Sequence, residues 1–349
     1  MELEMVDVPR PKPREDEVII QVRAVGICGS DVRYYLGENP WSLHTLGKDL
    51  KETKSFILGH EVSGDIIEEG TRVGRHRISE RVGAIAFRGC GECYYCRNDL
   101  PNLCEDTLHI GHDGRWRDIE YPPGGYAEYM QIWADKAHPI PDNVSYEEAT
   151  QLDGLAVAVH ANGRAAVSPA DVVAVIGSGA IGLMSLQVAK ARGAVQTVAV
   201  DTWEVPLEIA RDLGADHVVN ARNAGDIAES ILSITGGLGA NVVFDTVGSE
   251  KTVKAGLRAL SRGGRFVLLA VTPTKVDLQL TDIAGERSLT SSANNLYREY
   301  AVGVALLAKG DVRVKPFITH VMKLEEYREA FDMLLKKEEH RAIKIVLKP

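Results

Sequence analysis

The sequence predicts an α/β protein in which a mostly-β first part is joined to a doubly wound parallel sheet. Three observations support this prediction. From residue 171 onward, short apolar runs alternate with segments of helical length. A glycine-rich turn follows the first of those runs. Before residue 150, short alternating segments are interrupted by Pro, Gly and a dense group of cysteines, which is typical of strands and loops.

Composition limits the classes of function. The chain has 349 residues, of which 45% are hydrophobic and 26% charged, so it is an ordinary globular protein with room for two domains. A net charge of −9, with no basic cluster among aromatics, argues against a nucleic-acid partner. No apolar run reaches membrane-spanning length, and the N-terminus lacks a signal-peptide pattern. We therefore expect a cytoplasmic protein with no membrane partner.

The first part of the chain is organised around a short polar motif. A strand is predicted over Glu17 to Val25, where apolar residues alternate. Cys28-Gly29-Ser30-Asp31 follows it directly, and Gly59-His60-Glu61 comes later. Thiolate with imidazole is a zinc preference, and a site with three protein ligands leaves a position for water or substrate. Taken alone, these residues also fit a buried core cysteine and a hydrogen-bonded histidine.

Four further cysteines form a second candidate metal site. Their spacing is Cys90-x-x-Cys93-x-x-Cys96-x7-Cys104, and four thiolates at this spacing can close a tetrahedral, structural zinc site. The group is too tightly spaced for a disulfide framework and indicates metal binding in a reducing compartment. An iron–sulfur cluster or redox-active thiols are the alternatives.

The two parts are joined by a predicted strand and helix. Residues 124–134 read as a strand returning to the first domain. A helical pattern from Tyr146 to about Ala165 then carries the chain into the second domain, and it contains Asp153.

The second part opens on a nucleotide-binding pattern. A buried strand over residues 171–177 leads into Gly177-Ser178-Gly179-Ala180-Ile181-Gly182, and the helix from Leu183 to Ala191 follows. In this context G-x-G-x-x-G is a dinucleotide fingerprint, because the glycines allow a tight turn and close approach of the backbone to pyrophosphate. The helix N-terminus supplies N–H groups for the phosphates. We expect this turn to bind a dinucleotide in a Rossmann domain, through Gly177, Gly179, Ala180, Ile181 and Gly182.

An acidic residue predicts which dinucleotide is bound. Asp201 ends the strand from Gln196 to Val200 and lies nineteen positions after Gly182, where a carboxylate grips the ribose hydroxyls. A carboxylate repels a 2′-phosphate, so we expect NAD and not NADP. The alternative is a helix-capping Asp.

Strand and helix alternate through the rest of the second part. Strands are predicted at His217 to Asn220, Asn241 to Val247 and Arg265 to Val271, with helices at Asp226 to Thr235 and Thr252 to Leu260. Because ligands lie beyond the carboxyl ends of parallel strands, we expect cofactor contacts from Leu269, Ala270 and Val271. The last elements do not extend this alternation of strands and helices. They are helices at Tyr300 to Lys309 and Glu325 to Lys337 and strands at Phe317 to Met322 and Ile343 to Leu347. The predicted domains are therefore residues 1–150, 151–292 and a return segment, 293–349.

Together these motifs resemble the zinc-dependent medium-chain alcohol dehydrogenase superfamily over essentially the whole chain. The polyol (sorbitol) dehydrogenase group is the nearest within it, with glucose dehydrogenases also near. The stretches that carry the resemblance are 26–32, 59–61, the four-cysteine lobe and 175–182. The resemblance implies a GroES-like catalytic domain beside the Rossmann domain, two zinc ions per chain, NAD, and a homodimer or homotetramer. One family strand has no counterpart before Glu2, so we expect the given start to be short.

The resemblance also implies roles for individual residues. Cys28 and His60 match the catalytic zinc ligands, and Glu61 matches a carboxylate that ligates in some members. Ser30 matches the hydroxyl that hydrogen-bonds the substrate alcohol and starts the proton relay. Asp31 matches an acid that orients the zinc-bound histidine, as a ligand imidazole requires.

Substrate residues follow the family less closely. Tyr34 matches a substrate-side residue of polyol dehydrogenases. Their metal-side Glu-Pro pair is replaced by Asp153-Gly154, and Asp153 is one methylene shorter, so it ligates zinc after a backbone shift or through a water. Their substrate-binding Arg-Tyr pair is absent between Ser292 and Asn295, a run closer to glucose dehydrogenases. We take Asn295 as a candidate substrate contact.

The function predicted is hydride transfer between NAD and a secondary alcohol of a polyol, cyclitol or sugar. Alternatives on the same scaffold are a glucose-type sugar 1-dehydrogenase, a threonine-type amino-alcohol dehydrogenase and an aldehyde reductase. An alternative of another class is a non-catalytic zinc- and NAD-binding redox sensor, which would have no need of Ser30.

Overall fold

The structure is a computed structural model that describes residues 3–42, 47, 55–116, 119–270 and 272–349. Within these residues the strands, in chain order, are β1 Glu17–Gly26, β2 Glu61–Glu69, β3 Arg81–Ala84, β4 Phe87–Arg88, β5 Leu108–His109, β6 Tyr129–Trp133, β7 Ala137–Pro139, β8 Val172–Ile176, β9 Gln196–Asp201, β10 His217–Asn220, β11 Ala240–Asp245, β12 Leu260–Leu268, β13 Ser288–Ser291, β14 Ile318–Lys323 and β15 Lys344–Lys348.

The helices of the same residues are α1 Gly29–Tyr35, α2 Tyr94–Arg97, α3 Tyr146–Ala149, α4 Leu152–Arg164, α5 Ala180–Ala191, α6 Glu204–Asp212, α7 Ile227–Ile234, α8 Glu250–Ala259, α9 Tyr297–Lys309, α10 Tyr327–Leu335 and α11 Lys337–His340. No helix among them is both long and apolar enough to span a membrane.

The chain divides into two compact units. The first consists of Met1–Asp153, Leu296–Ala308 and Ile318–Pro349, and the second of Gly154–Asn295 and Lys309–Phe317. The sequence placed residues 309–317 in the return segment, whereas the structure places them in the second unit. Gln187 explains the difference, because its Oε1 accepts the Arg313 N–H at 2.8 Å and its Nε2 donates to the Arg313 carbonyl at 3.1 Å.

The first unit is built on a sheet with β1 at its centre. The order is β14-β15-β1-β2-β3-β7, and β6 pairs with the other half of the β1 edge that β15 occupies. The β1 pairs are antiparallel, and β14 and β15 pair in parallel. Val18, Ile20 and Val22 of β1 lie in one core with Phe331 and Ile345 from the tail, so the end of the chain completes the sheet that holds the first motif.

The second unit is a parallel sheet in the order β10-β9-β8-β11-β12-β13. Counted from the first strand of the unit, this order is 3-2-1-4-5-6, the doubly wound order of a Rossmann domain. Four neighbouring strands of this sheet each contribute a fully buried residue to one core: Val198, Ala174, Val243 and Phe266. The predicted α/β fold class is confirmed.

The linking helix differs from the prediction. The sequence predicts one helix from Tyr146 to about Ala165, but the structure has α3 and α4 with a break between them. Thr150 Oγ1 donates to the Glu147 carbonyl at 2.7 Å, and Gln151 N–H donates to Glu148 at 3.0 Å, one residue short of the α-helical spacing. This local competition for backbone carbonyls ends α3. Asp153 consequently lies in the first turn of a new helix, α4.

Candidate metal centres and nucleotide-binding turn

Strand pairing brings the two halves of the first motif together. Gly26, the last residue of β1, is paired with Glu61, the first residue of β2. Cys28 comes two residues after Gly26 and His60 comes one residue before Glu61, so the pairing brings both to the same end of the two strands. One possible ligand atom from each of Cys28, His60 and Glu61 lies within 4.8 Å of the others. His60 and Glu61 are buried, and Cys28 is partly exposed. The structure therefore brings these three residues together, and their roles as zinc ligands remain predictions.

Glu61 forms a buried ion pair with Lys344. Lys344 Nζ on β15 donates to both carboxylate oxygens of Glu61, at 2.7 and 2.8 Å, and to the Ile27 carbonyl at 3.1 Å. Burial alone would lower the pKa of Lys344, but the adjacent Glu61 carboxylate and Cys28 outweigh it and raise that pKa. Glu61 can ligate a metal only if this ion pair is loosened. Its assignment as a ligand remains a prediction.

Asp31 organises the donors around the centre. Its Oδ2 accepts the Cys28 N–H at 2.9 Å and the Tyr126 hydroxyl at 3.0 Å, and its Oδ1 lies 3.4 Å from His60 Nδ1. Burial alone would raise the pKa of Asp31, but the attraction of His60 and the hydrogen bond from His112 hold it well below its usual value. If His60 points its Nδ1–H at Asp31, its Nε2 is the nitrogen left to ligate a metal.

Two histidines beside the centre were not selected by sequence reasoning. The His112 ring centroid lies 4.1 Å from that of His60, and the His109 ring stacks on His112 at 4.8 Å. Asp31, His60 and His112 also form a set whose possible ligand atoms lie within 4.8 Å of one another. Burial and the neighbouring His112 and His60 hold the pKa of His109 well below its usual value. His109 and His112 belong to no motif, so only the folded chain reveals them.

Asp153 lies near the centre but outside its ligand cluster. Among the described residues, the set of ligand atoms around Cys28 does not include Asp153. Burial raises the pKa of Asp153 to about 6, with the charge on Glu61 adding to the rise and that on His60 opposing it. A carboxyl group with such a pKa is poised between its two protonation states near neutrality. Zinc ligation by Asp153 remains a prediction.

Tyr34 is buried and forms hydrogen bonds within the protein. Its side chain is only 2% exposed, and its hydroxyl lies 2.8 Å from Asn39 Oδ1 and 2.9 Å from the His112 carbonyl oxygen. Its ring packs against the His112 ring with centroids 5.0 Å apart. The structure therefore gives Tyr34 a role in holding His112, whereas the resemblance implied a substrate contact.

The four cysteines form a compact lobe. Possible ligand atoms of Cys90, Cys93, Cys96 and Cys104 all lie within 4.8 Å of one another, and all four are free of disulfides. Three of the sulfurs accept hydrogen bonds from backbone N–H groups, with N to Sγ distances of 3.3 to 3.4 Å. The N–H of Cys90 donates to Cys104 Sγ, that of Cys93 to Cys90 Sγ, and that of Cys96 to Cys93 Sγ. Such donors stabilise thiolates, so the lobe has the donor set and the closed arrangement of a structural zinc site.

The glycine turn of the second unit has the shape a pyrophosphate needs. Gly177 has a φ of 91°, and a Cβ on Gly182 would lie 1.9 Å from the Gly177 carbonyl oxygen, so only glycine fits either position. A Cβ on Gly179 would meet nothing within 4 Å, which leaves open space before α5. Ala180 and Ile181 lie in the first turn of that helix, where the backbone N–H groups have no partner within the helix and point toward its N-terminal end. The turn therefore fits a dinucleotide.

Other predicted cofactor and substrate residues lie in the second unit. Asp201 ends β9 and accepts N–H groups from Ser178 at 2.8 Å and Trp203 at 3.0 Å, so it is anchored to the glycine turn. Leu269 and Ala270 follow the carboxyl end of β12, while Val271 lies outside the described residues. Asn295 is fully buried, and its Nδ2 donates to Asn294 Oδ1 at 3.0 Å. Their contacts with cofactor or substrate remain predictions.

The donor sets fit the groups that the sequence implies. Cys28 with His60 offers sulfur and nitrogen to one zinc, and the four-cysteine lobe offers sulfur alone to another. The chain therefore carries a Lewis-acid site in its first unit and a dinucleotide turn in its second, and zinc and NAD are the two groups that alcohol oxidation needs.

Comparison with known proteins gives the family. The alcohol dehydrogenase GroES-like domain matches residues 14–142, and the zinc-binding dehydrogenase domain matches residues 180–309. Sorbitol dehydrogenase of Bacillus subtilis (strain 168) is 31% identical, over 100% of this chain and 94% of that protein. D-arabitol-phosphate dehydrogenase of Enterococcus avium is 32% identical, over 97% and 92%. An alcohol dehydrogenase of Escherichia coli CFT073, solved with NADH, superposes with a TM-score of 0.86 at 26% identity, covering 100% of this chain and 96% of that one.

These matches extend over both units and include relatives above 30% identity across nearly the whole chain. They confirm the resemblance drawn from the sequence motifs. The chain belongs to the zinc-dependent medium-chain alcohol dehydrogenase family.

Proposed function

We propose that this protein is a zinc- and NAD-dependent polyol dehydrogenase, which oxidises a secondary alcohol of a polyol, cyclitol or sugar to a carbonyl compound. The observation that carries the proposal is the cluster of Cys28, His60 and Glu61 where β1 ends and β2 begins, in a chain that also holds a dinucleotide turn. Ser30 follows Cys28 by two residues. Relatives named for sorbitol and arabitol phosphate support a polyhydroxylated substrate.

In this proposal Cys28 and His60 hold the catalytic zinc, and Asp31 orients His60 through Nδ1. When bound, zinc supplies the Lewis acidity that lowers the pKa of the substrate hydroxyl, and NAD accepts the hydride. Ser30 Oγ accepts a hydrogen bond from the alcohol, and as it takes that proton its own hydroxyl proton passes outward, away from the substrate. One alcohol and NAD⁺ thus give one carbonyl compound, NADH and a proton.

Two carboxylates compete to complete the metal shell. Glu61 lies within the ligand cluster but is neutralised by Lys344. Asp153 lies outside that cluster, and burial raises its pKa to about 6. We propose that Asp153 acts through a bridging water and that Glu61 remains with Lys344.

NAD specificity is proposed from Asp201. The carboxylate is fixed at the end of β9 by two backbone N–H groups, which leaves lone pairs for ribose hydroxyls. A 2′-phosphate on NADP would meet this negative charge. We further propose a homodimer or homotetramer in the cytoplasm, where a reducing environment keeps the four lobe thiols available to zinc.

A glucose-type sugar 1-dehydrogenase is the second candidate. The run from Ser292 to Asn295 lacks the Arg-Tyr pair of polyol dehydrogenases. Its residues are small and polar, which suits the hydroxyl groups of a sugar ring.

An NAD-reduction screen over polyols, inositols, aldoses and threonine tests the proposal, run together with metal analysis. We expect the highest kcat/KM on a polyol or cyclitol and two zinc ions per chain. Turnover of threonine alone, or of no alcohol at all, would reject the polyol assignment.

A variant tests the role of the metal. Cys28→Ser should lower kcat at least about 100-fold, because it removes the soft ligand that holds the Lewis acid. NAD affinity, measured by fluorescence, should stay the same, since the glycine turn is untouched. Near-full activity in this variant would remove zinc from the reaction.

A further inference from the structure

We propose that His112 is a positioning residue of this active site: its Nε2–H lies between Asp31 and Ser30 and fixes the serine hydroxyl for the substrate. This proposal rests on the function proposed above and adds a residue that no motif of the sequence contains. It concerns the orientation of Ser30, not the binding of the metal.

The hydrogen-bond geometry gives the direction of donation. His112 Nε2 lies 3.3 Å from Asp31 Oδ1 and 3.2 Å from Ser30 Oγ. An ionised carboxylate can only accept, so the proton on this edge of the ring belongs to Nε2. Ser30 Oγ accepts a share of the same N–H. The serine's own O–H must then point away from the imidazole, and the second lone pair of Oγ is left to accept a hydrogen bond from the substrate hydroxyl.

Three neighbouring rings fix the plane of His112. Its centroid lies 4.1 Å from that of His60, 4.8 Å from that of His109 and 5.0 Å from that of Tyr34. The Tyr34 hydroxyl also lies 2.9 Å from the His112 carbonyl oxygen, so both the ring and its backbone are held. His112 is 5% exposed. A donor whose rotamer is locked by packing loses little entropy when it orients a partner.

The backbone is built to bring His112 to this place. Gly111 has a φ of 75°, and a Cβ there would lie 2.3 Å from the Gly59 carbonyl oxygen. The backbones of the His112 loop and the His60 loop therefore cross in close contact at two glycines, Gly111 and Gly59. Gly111 N–H also donates to the Pro123 carbonyl at 2.8 Å. Any larger residue at this crossing would push His112 away from Ser30.

A set of three substitutions separates the role of Nε2 from the role of the ring. Gln carries an amide nitrogen at about the distance of the histidine Nε2, whereas the Asn amide reaches only the position of Nδ1. His112→Gln should keep kcat within about threefold of wild type. His112→Asn and His112→Phe should lower kcat about 10- to 100-fold, the range of a lost hydrogen bond to a charged or reacting group. All three should leave KM for NAD unchanged.

Two further readouts exclude a merely structural role. The primary deuterium isotope effect on kcat should increase in His112→Phe, because hydride transfer slows relative to product release. In cobalt-substituted protein without NAD, the affinity for trifluoroethanol, read from the cobalt absorption bands, should fall about tenfold in His112→Phe and recover in His112→Gln. His76→Gln, at an exposed histidine, serves as the matched control.

The outcomes decide between the claims. Full activity in His112→Phe, or equal losses in His112→Gln and His112→Phe, would overturn the positioning role. Loss of catalytic metal in His112→Phe alone would also overturn it, because His112 would then hold the metal. If wild type oxidises no alcohol but trifluoroethanol binding still depends on His112 as described, the proposed function fails and the positioning role stands.

Discussion

Replacing Lys344 with Met should destabilise the first unit far more than an ordinary ion-pair loss. Lys344 and Glu61 have side chains only 6% and 3% exposed, and Nζ lies 2.7 and 2.8 Å from the two carboxylate oxygens. At that distance the Coulomb attraction is roughly 6 kcal/mol in an effective dielectric of about 20, against roughly 1.5 kcal/mol in water. Removing one partner leaves a buried, unpaired carboxylate, which costs about 3–5 kcal/mol of unfolding free energy.

The same strand offers a matched control. Lys348 Nζ lies 2.7 Å from Glu147 Oε1, but these side chains are 48% and 27% exposed, so Lys348→Met should cost less than about 1 kcal/mol. The double variant Lys344→Met with Glu61→Met removes both buried charges and should recover at least half of the loss in the single variant. Urea unfolding of the metal-free proteins, followed by tryptophan fluorescence, measures all three. Equal losses in Lys344→Met and Lys348→Met would refute the argument from burial.

Three other changes test separate features of the chain. Gly111→Ala should lower the unfolding free energy by about 1–3 kcal/mol, because it combines a left-handed backbone with a contact of 2.3 Å to Gly59; an unchanged urea midpoint would contradict this. Burial and then Arg77 lower the pKa of His138, so the folded chain disfavours its charged form. Its contribution to stability should be complete above the unfolded pKa of about 6.5 and decline as pH falls below it, and His138→Asn should flatten the slope of unfolding free energy between pH 5 and 7 in metal-free protein. Asp201→Asn should weaken NAD binding about tenfold and NADP binding less, as measured by cofactor fluorescence; an equal loss for both would leave Asp201 a loop anchor only.

Features that depend on neighbouring residues were predictable from the sequence. The alternation in β1, the spacing of the four cysteines and the glycine turn each encode their structure within a few positions. The parallel, doubly wound sheet was also predictable, because strands that alternate with helices leave few topologies. The break between α3 and α4 was missed because Thr150 competes for a backbone carbonyl through its side chain, which periodicity does not reveal.

Features that depend on distant residues were not predictable. Glu61 lies beside Cys28 and His60, as the sequence predicts, but its partner Lys344 is 283 positions away and comes from a strand with no distinguishing motif. His112 reaches Ser30 across 82 positions, and this contact requires the crossing of Gly59 and Gly111. A histidine that belongs to no motif is most simply interpreted from the sequence as an ordinary hydrogen-bonding residue.

The two surprises at the centre have one physical origin. A metal centre with a thiolate and three nearby carboxylates concentrates negative charge in a buried place, and each carboxylate needs its own compensation. Lys344 compensates Glu61 with a full charge, while Asp31 is compensated by several N–H and O–H donors, including His112. Burial raises the pKa of Asp153 to about 6, although the charges of His60 and Lys344 oppose the rise. The three acids therefore differ in their surroundings: Glu61 is paired with a buried cation, Asp31 is held by hydrogen bonds, and Asp153 is the acid whose pKa burial raises.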